Sequence, residues 1–438
     1  MKAVFLCGGS SRRMFPITED KFLLKFLGRP LLLHQMELAR RAGLKDFVFI
    51  GNPDNIDETR SLVNKVPNIR GEFAVQRRPL GIAEALRSAA ELLEGPVLLI
   101  NPNDVFSLSA YERILGADDS SPARMLGYQV REHFPGGYLE VDEENHLVHI
   151  VEKPPPGEEP SDVVNLLVHQ HDDPKALLRY IEAVHSTEDD VYERALDQMV
   201  RDGVSIQVVR YEGFWAPIKY PWHIFRVMEH FLDSAAGSVA ATTRISDRAL
   251  IEGKVILEDN VRVLENAVIR GPAYVGANSV VGNNALVRDY AHIGSNSVIG
   301  YSTEVKHSYI GDECWFHSNY IGDSIIDDDC SFGSGAITAN FRLDEANVRV
   351  ELDGKEVDTG YDKLGAMVGA GCRVGINAGL MPGRRVGANS FVGPHVCLTQ
   401  DLAPHKKALL RPGRYEITDN PAVPEGTKRS QLLGKLKH

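Results

Sequence analysis

Between residues 245 and 305 an aliphatic side chain returns at every sixth position without a gap. The positions are Ile245, Ile251, Leu257, Val263, Ile269, Val275, Val281, Val287, Ile293, Ile299 and Val305. An α-helix repeats its apolar face about every 3.6 residues and a β-strand about every two, so a period of six fits neither element alone. The pattern predicts a parallel β-helix, in which stacked coils bury one apolar core.

The ladder becomes irregular beyond residue 305. Ile321 follows Phe316 after only five residues, and residues 338–364 interrupt the period before it returns. We expect a hairpin at 352–356 inside this interruption. Excursions from a solenoid commonly lie on its binding face, so a functional site is predicted near the irregular part of the β-helix.

Before the ladder, short apolar segments alternate with segments of helical spacing. We predict strands at 2–7, 47–51 and 96–101 and helices at 31–42 and 82–93. This alternation is typical of an α/β fold with a doubly wound parallel sheet, which binds ligands at the carboxyl ends of its strands.

These patterns divide the chain of 438 residues into four parts. We expect an α/β domain at 1–232, a small polar linker at 233–244, the β-helix at 245–402 and a basic tail at 403–438.

Residues with the chemistry of phosphate binding follow the first predicted strand. Gly8 and Gly9 form a turn there, and such a turn lets backbone N–H groups approach a phosphate closely. Arg13 and Lys21 come next and would lie beside a triphosphate. Asp104 follows a later strand, where a carboxylate suits Mg²⁺. The order of these residues, more than any one of them, predicts a nucleotide site.

This order resembles that of the sugar-1-phosphate nucleotidylyltransferases. The resemblance covers residues 1–232, and its matching blocks are residues 6–18, 21–32, 76–83 and 152–154, with Asp104 and Asn165. It implies a Rossmann-like nucleotidyltransferase domain. It also implies that a sugar phosphate attacks the α-phosphate of a nucleoside triphosphate and releases pyrophosphate.

The resemblance implies roles for individual residues. Arg13 and Lys21 would stabilise charge on the phosphates, and Asp104 would bind Mg²⁺. The nucleotide would contact Gly8, Gly9, Gln76 and Gly81, and the sugar would contact Gly137, Glu152 and Asn165. Chemistry of this kind depends mostly on positioning and electrostatics.

One block departs from the family pattern. Where the family has W-x-D-I-G-x-P-W, this chain has residues 215–222, with Pro217 in the place of the second metal-binding Asp and Lys219 in the place of Gly. Proline offers no side-chain ligand, whereas Lys219 would bring a positive charge near the vacated position.

Three blocks in the irregular part of the β-helix contain further polar residues, at 304–308 (E-V-K-H-S), 317–324 (H-S-N-Y-I-G-D-S) and 336–340 (A-I-T-A-N). They resemble the acetyltransferase half of the bifunctional enzymes that make UDP-N-acetylglucosamine, especially the archaeal type. The resemblance implies a left-handed β-helix, acetyl-CoA as the acyl donor, and a homotrimer with acceptor pockets between neighbouring subunits.

By motif position, His317 would be the general base that takes a proton from the glucosamine amine, a role that suits an imidazole. Arg288 and Lys306 would bind the sugar phosphate. Tyr320 and Asn340 would orient the sugar and the acetyl donor. The step that contains His317 is one residue shorter than in the family, which would displace the imidazole.

Composition excludes several classes of function. The net charge of −12 argues against a general nucleic-acid binder. No apolar stretch approaches the ~20 residues of a membrane span. Five Cys without C-x-x-C spacing support neither a zinc site nor a disulfide framework, so we expect a cytoplasmic protein.

Three functional hypotheses follow. The leading one is a bifunctional enzyme that acetylates glucosamine-1-phosphate and then transfers a uridylyl group to the product. The second keeps one activity, either because Pro217 marks a silenced nucleotidyltransferase or because the β-helix is only structural. The third is a non-catalytic scaffold that binds sugar nucleotides. The sequence leaves the nucleobase (uracil, thymine or guanine) and the sugar epimer open.

Overall fold

The computed structural model describes residues 1–9, 11–117, 121–187 and 189–410. The greater part of the predicted basic tail, residues 411–438, lies outside these ranges. In the part that is described, no helix is both long enough and apolar enough to cross a membrane.

The first half of the chain forms an α/β domain around a nine-stranded sheet. The strands of the domain are β1 (Lys2–Cys7), β2 (Lys25–Phe26), β3 (Arg29–Pro30), β4 (Asp46–Gly51), β5 (Arg70–Val75), β6 (Val97–Ile100), β7 (Asp104–Phe106), β8 (Ala123–Gln129), β9 (Gly137–Val141), β10 (Leu147–Glu152), β11 (Val163–His171), β12 (Ile206–Tyr211) and β13 (Trp215–Pro217). The helices are α1 (Leu31–Arg41), α2 (Ile56–Val63), α3 (Gly81–Ser88), α4 (Leu108–Leu115), α5 (Pro174–Ala183), α6 (Val191–Arg201) and α7 (His223–Ser234).

The strand order in this sheet is β10-β9-β11-β6-β1-β4-β5, with β8 on β11 and β12 on β8. Strands β6, β1, β4 and β5 are parallel, as predicted. Strand β11 is antiparallel to β6, β8 and β9, so the parallel core of the sheet is extended into a mixed sheet. The carboxyl ends of β1 and β6 lie together and lead into the glycine turn and Asp104.

The second half is a parallel β-helix of three sheets, as the ladder predicts. Sheet I contains Ser238–Val239, Val255–Leu257, Ala273–Val275, Ala291–Ile293, Tyr309–Ile310, Ile325–Ile326, Met367–Val368 and Arg385–Val386. Sheet II contains Arg244–Ile245, Arg262–Val263, Val280–Val281, Val298–Ile299, Trp315–Phe316, Ser331–Phe332, Arg373–Val374, Phe391–Val392 and Lys407–Ala408. Sheet III contains Leu250–Glu252, Val268–Arg270, Leu286–Arg288, Glu304–Lys306, Tyr320–Gly322, Ile337–Thr338, Gly379–Leu380 and Cys397–Leu398.

A regular coil has three six-residue steps, so each strand pairs with the strand 18 residues further on. Val263 pairs with Val281 and Val281 with Ile299, and all three side chains are buried in the interior of the β-helix. The ladder residues thus point inward, where each coil covers the core of the next.

The coils are shortened in one region of the β-helix, where Glu304 pairs with Tyr320 only 16 residues further on. Three steps span five residues, namely Val305 to Ile310, Phe316 to Ile321 and Ile321 to Ile326. The prediction of one short step therefore misses two others. Strand register is kept, since Val305 still faces Ile321, so the corners between sheets absorb the missing residues.

Part of the predicted linker belongs to the β-helix, because Ser238–Val239 pairs with the next strand of sheet I. At the other end, Lys407–Ala408 extends sheet II beyond the predicted boundary at residue 402. The predicted hairpin is formed by Arg349–Leu352 and Lys355–Asp358.

The first domain packs against sheet I. The rings of Tyr274, His292 and Tyr309 stack along this face, with centroids 4.8 and 4.9 Å apart. The Nε2 of His292 accepts a hydrogen bond from the N–H of Leu27 at 3.2 Å, and the hydroxyl of Tyr309 donates to the carbonyl of Lys25 at 2.9 Å. Helix α7 belongs to the same buried apolar seam. The seam holds α7 beside the irregular coils of the β-helix.

Candidate active sites

The glycine turn after β1 packs against Gln76. A Cβ on Gly8 would stand 2.0 Å from the Oε1 of Gln76, so only glycine leaves room for this buried side chain. The Nε2 of Gln76 donates to the carbonyl of Gly81 at 2.9 Å. Among the described atoms, none lies within 4 Å of the place that a Cβ of Gly9 would take. Three of the four predicted nucleotide-binding residues, Gly8, Gln76 and Gly81, therefore lie together. The space beside the fourth, Gly9, is open.

Asp104 begins β7 and lies opposite Pro217 of β13. Its Oδ2 accepts a long hydrogen bond of 3.5 Å from the indole N–H of Trp215. Burial raises the pKa of the Asp104 carboxyl to about 6, although the charges of Lys219 and Lys21 favour the ionised form. A buried carboxylate with a raised pKa and a long hydrogen bond is typical of a group that awaits a ligand.

Lys219 lies close to Asp104. Burial lowers the pKa of Lys219 to about 8, against the attraction of Asp104 and Glu152. Its ammonium donates to the carbonyl of Pro135 and stands 3.6 Å from the centroid of the Phe134 ring. A cation is thus present beside the position that the family pattern gives to a second carboxylate. In the sequence, the one indication that Lys219 belongs to this site is that it stands where the family pattern has Gly.

Two further cations surround this carboxylate. Arg13 and Lys21 lie on two 3₁₀ turns after the glycine loop, at Arg12–Met14 and Lys21–Leu23. Burial lowers the pKa of Lys21, and the nearby charge of Asp104 opposes this effect. Arg13 is exposed, and its positive charge acts on both Lys21 and Lys219. Of the predicted phosphate-binding cations, Lys21 therefore lies near Asp104, and Arg13 lies near Lys21 and Lys219.

The three predicted sugar-binding residues of this domain are neighbours. A Cβ on Gly137 would stand 3.0 Å from the Oε2 of Glu152 and 3.5 Å from the Cβ of Asn165. The Oδ1 of Asn165 accepts a hydrogen bond from the Nε2 of His169 at 2.7 Å, and the Nδ1 of His169 accepts one from the hydroxyl of Tyr192 at 2.7 Å. His169 and Tyr192, which the sequence analysis misses, hold the amide of Asn165 in place.

The predicted sugar-phosphate residues of the β-helix meet where the chain turns from sheet III to sheet I. Residues of successive coils form what we call the corner column: Arg288, Asp289, Lys306, His307, Asp323 and Asn340. The Nζ of Lys306 donates to both oxygens of Asp323, at 3.0 and 2.8 Å. The Nδ2 of Asn340 donates to the Oδ2 of Asp323 at 2.5 Å. Asp323 joins two of the predicted residues, although its role was not predicted from the sequence.

Tyr320 reaches the corner column across its own strand. Its hydroxyl accepts a hydrogen bond of 3.1 Å from the Nδ2 of Asn340. A Cβ on Gly322 would stand 2.6 Å from the Tyr320 hydroxyl oxygen, so the glycine allows the ring to lie along the sheet.

Arg288 stands in register with Lys306 on the neighbouring coil. Its Nε and Nη2 donate to one carboxylate oxygen of Glu304, at 2.9 and 2.7 Å, and its Nη1 donates to Asp289. Two carboxylates thus hold the guanidinium beside the ammonium of Lys306.

His317 lies at a different corner, between sheets II and III, and is exposed. This corner, residues 317–319, is one residue shorter than the corners of the coils on either side. The buried amide of Asn319 accepts from the N–H of His317 at 2.7 Å and donates to the carbonyls of Gly333 and Ala336, both at 2.8 Å. Among the described residues, the His317 ring forms no hydrogen bond. Within a single chain, the predicted base His317 therefore does not contact the corner column.

Comparison with known proteins relates both halves to one family. A model of the nucleotidyl transferase family matches residues 2–216, and a model of six bacterial transferase hexapeptide repeats matches residues 254–289. The chain is 30% identical over 410 residues to a bifunctional sugar-1-phosphate nucleotidylyltransferase/acetyltransferase of Sulfurisphaera tokodaii, covering 92% of this chain and 98% of that protein. It is 34% identical over 406 residues to the bifunctional protein GlmU of Methanococcus maripaludis, covering 92% of this chain and 95% of that protein. The chain thus belongs to the family of bifunctional sugar-1-phosphate nucleotidylyltransferase/acetyltransferases.

Proposed function

We propose that the protein is a bifunctional enzyme of sugar-nucleotide synthesis in the cytoplasm. Its β-helix acetylates glucosamine-1-phosphate with acetyl-CoA, and its first domain transfers a uridylyl group from UTP to the product, releasing pyrophosphate. The observation that supports this most is the presence of two separate groups of buried ionisable residues, one around Asp104 and one around Asp323. Each group lies in the half of the chain in which the family resemblance predicts a site.

In the first domain, a phosphate oxygen of the sugar phosphate attacks the α-phosphorus of the nucleotide. The bond from the α-phosphorus to the bridging oxygen breaks, and pyrophosphate leaves. Lys21 and Arg13 attract the triphosphate and offset the charge that develops on the leaving group. The base binds beside Gln76 and Gly81, and Glu152 and Asn165 orient the sugar.

Asp104 fits Mg²⁺ as a single carboxylate ligand. Mg²⁺ sites in enzymes commonly use one or two carboxylates and complete their coordination with substrate phosphates and water. Pro217 faces Asp104 and adds no ligand, so the protein supplies one carboxylate here. When bound, the ion would neutralise phosphate charge, and Lys219 would add a second positive charge to the same region.

In the β-helix, the amine of glucosamine-1-phosphate attacks the thioester carbonyl carbon of acetyl-CoA. The amine proton passes to His317, the carbon–sulfur bond breaks, and the CoA thiolate is protonated as it leaves. Lys306 and Arg288 bind the phosphate. Tyr320 and Asn340, which are hydrogen-bonded to each other, orient the sugar and the acetyl donor.

A homotrimer would add residues of a neighbouring subunit to the exposed face around His317. Large apolar side chains remain exposed near this corner, namely Trp315 at 56% and Tyr301 at 62%. Exposed apolar surface of this kind marks contacts between proteins. Light scattering should give three times the chain mass of 48.4 kDa, whereas a folded monomer at micromolar concentration would contradict the trimer.

The proposal is tested by incubating the protein with glucosamine-1-phosphate, acetyl-CoA, UTP and Mg²⁺. We expect both free CoA and pyrophosphate, and the absence of both would overturn the proposal. With N-acetylglucosamine-1-phosphate as the acceptor, the His317→Ala variant should still release pyrophosphate, while its release of CoA from glucosamine-1-phosphate is abolished. Replacing UTP with TTP or GTP identifies the nucleobase.

A second candidate is an acetyltransferase whose first domain no longer transfers nucleotides. The observation in its favour is that Pro217 stands where a second carboxylate would face Asp104. CoA release without pyrophosphate release, for every nucleoside triphosphate tested, would favour this candidate.

A further inference from the structure

His307 is a member of the corner column to which the sequence patterns assign no role. Its Nδ1 forms a hydrogen bond of 2.9 Å with the Oδ1 of Asp323, and its Nε2 forms one of 2.8 Å with the Oε1 of Glu229. The ring packs against Phe225, with centroids 4.7 Å apart. Both ring nitrogens thus face carboxylates, which requires both to carry a proton.

The two carboxylates belong to different halves of the molecule. Asp323 lies at the corner of the β-helix, and its side chain is only 4% exposed. Glu229 lies on α7 of the first domain, which packs along sheet I. The imidazolium of His307 therefore links the last helix of the nucleotidyltransferase domain to the corner column.

The short steps of the ladder create this contact. In the coil that contains Arg288, three residues, 289–291, lie between Arg288 and His292, whose partners on the next coil are Lys306 and Tyr309. In the next two coils the equivalent corner is one residue shorter, which leaves His307 and Asp323 stacked directly on each other. Both residues have a positive φ, 43° for His307 and 46° for Asp323.

Asp323 is saturated with donors. Its Oδ1 contacts Lys306 and His307, and its Oδ2 contacts Lys306 and Asn340. A carboxylate has about four lone-pair positions, and all four are used. Lys306 has three N–H groups and directs two of them at Asp323, so one is left for a ligand.

Resting on the acetyl transfer proposed above, we propose that His307 is a positioning residue for the sugar phosphate. Held by Glu229, it neutralises Asp323 so that the remaining charge and N–H group of Lys306 are available to the phosphate. Without His307, the charges of Lys306, Asp323 and Glu229 sum to minus one, which disfavours a phosphate beside Lys306. With an imidazolium present, the sum is zero.

The test is steady-state acetyl transfer by the wild type, His307→Asn and Glu229→Gln. We expect His307→Asn to raise the KM for glucosamine-1-phosphate about tenfold, the effect of weakening one charge-assisted contact with phosphate. The kcat and the KM for acetyl-CoA should change less than about twofold. Glu229→Gln should act in the same direction with a smaller effect.

Lys25→Met is the matched control. It removes another ion pair between the two domains, with Asp312 at 2.7 Å, and leaves the corner column untouched. Its KM for glucosamine-1-phosphate should equal that of the wild type. A merely structural role of His307 would lower the melting temperature and the active fraction in both variants without changing either KM, and that outcome would overturn the proposal.

Calorimetric binding of glucosamine-1-phosphate separates this proposal from the proposed acetyl transfer. The binding component that disappears in Lys306→Ala belongs to the β-helix. If the wild type releases no CoA, acetyl transfer is refuted, but a tenfold weaker component in His307→Asn would still support the positioning role. An unchanged component in His307→Asn, or no component lost in Lys306→Ala, would refute it.

Discussion

Each half of the molecule holds a buried carboxylate among cations, and the pKa values of the two carboxyl groups are shifted in opposite directions. Burial raises the pKa of Asp104 to about 6, because the charges of Lys219 and Lys21 and the hydrogen bonds with Trp215 and Asn101 offset the effect of burial only in part. Burial also disfavours the charge of Asp323, but hydrogen bonds from His307, Lys306 and Asn340 outweigh it, and its pKa is lowered.

The two pKa shifts differ in direction because Asp323 accepts several strong hydrogen bonds, whereas Asp104 accepts few. A carboxylate whose lone pairs are filled is stable as an anion and organises the groups around it, whereas a desolvated carboxylate with few donors gains most from a ligand. We therefore propose that Asp323 positions the binding residues around it and that Asp104 contacts substrate or metal. The two sites contain similar types of residue, but we expect their carboxylates to have different roles.

Replacing Asp323 with Asn should have the largest effect on stability. The change would leave Lys306 without its carboxylate and His307 with Glu229 alone, and breaking a buried pair in this way costs about 3–5 kcal/mol. Urea denaturation at neutral pH measures the loss. Asp104→Asn is the comparison, and its free energy of unfolding should not fall, because burial already disfavours that charge. Equal losses in the two variants would refute the distinction.

The stability contributed by His307 should depend on pH. Burial lowers its pKa, but the hydrogen bonds with Asp323 and Glu229 prevail and raise it to about 9. A pKa raised in the folded state gives stability that is fully present below the unfolded value of about 6.5 and is lost as pH rises through about 9. The rise corresponds to about 3 kcal/mol.

Denaturation of the wild type and His307→Asn between pH 6 and pH 10 tests this expectation. Their difference should shrink as pH rises, while Asp323 stays ionised because its pKa is lowered, and Tyr361, with a pKa raised to about 12, stays neutral. His395→Asn is a matched control, since His395 is exposed and has a similar positive φ of 58°. A constant difference across this range would contradict a charged His307.

Asp104→Asn should affect nucleotidyl transfer strongly and acetyl transfer hardly at all. We expect pyrophosphate release from UTP and N-acetylglucosamine-1-phosphate to fall about 100-fold, as when a single preorganised charge is removed from a reaction site. CoA release should stay within about twofold of the wild type, because the corner column is untouched. Asp57→Asn, at an aspartate whose side chain is 87% exposed, should change neither rate. An unchanged rate of pyrophosphate release would show that Asp104 does not take part in the chemistry.

The sequence predicts the β-helix well because its core depends on spacing alone. Each ladder residue such as Val281 occupies the same inward position in every coil, so burial is visible as a period. The antiparallel arrangement of β11 leaves no such trace, because a continuous apolar strand reads the same in either direction.

The sites are predicted less completely, because many of their contacts join residues far apart in the chain. Lys306 and Asn340 can be recognised from family blocks, but their common partner Asp323 has a role only once the coils are stacked. The contact between His307 and Glu229 spans 78 residues and two domains. Its one visible signal was the short step from Val305 to Ile310, which a strict search for the six-residue period would reveal.

Lys219 provides the smallest and most specific test of the contrast between the two carboxylates. Because its ammonium is already engaged by the Pro135 carbonyl and the Phe134 ring, it contributes to the phosphate region mainly through its charge. Lys219→Met should lower kcat/KM for pyrophosphate release about tenfold, roughly 1.4 kcal/mol of transition-state stabilisation.

Lys219→Arg keeps the charge and should retain most of that activity, although the broader guanidinium fits the Phe134 face differently. Lys45→Met, at an exposed lysine of the same domain, should have no effect. If Lys219→Met and Lys219→Arg lose activity equally, the shape of the side chain matters rather than its charge. Lys219 would then be part of the wall of the site, and Asp104 would depend on Lys21 and Arg13 for its positive surroundings.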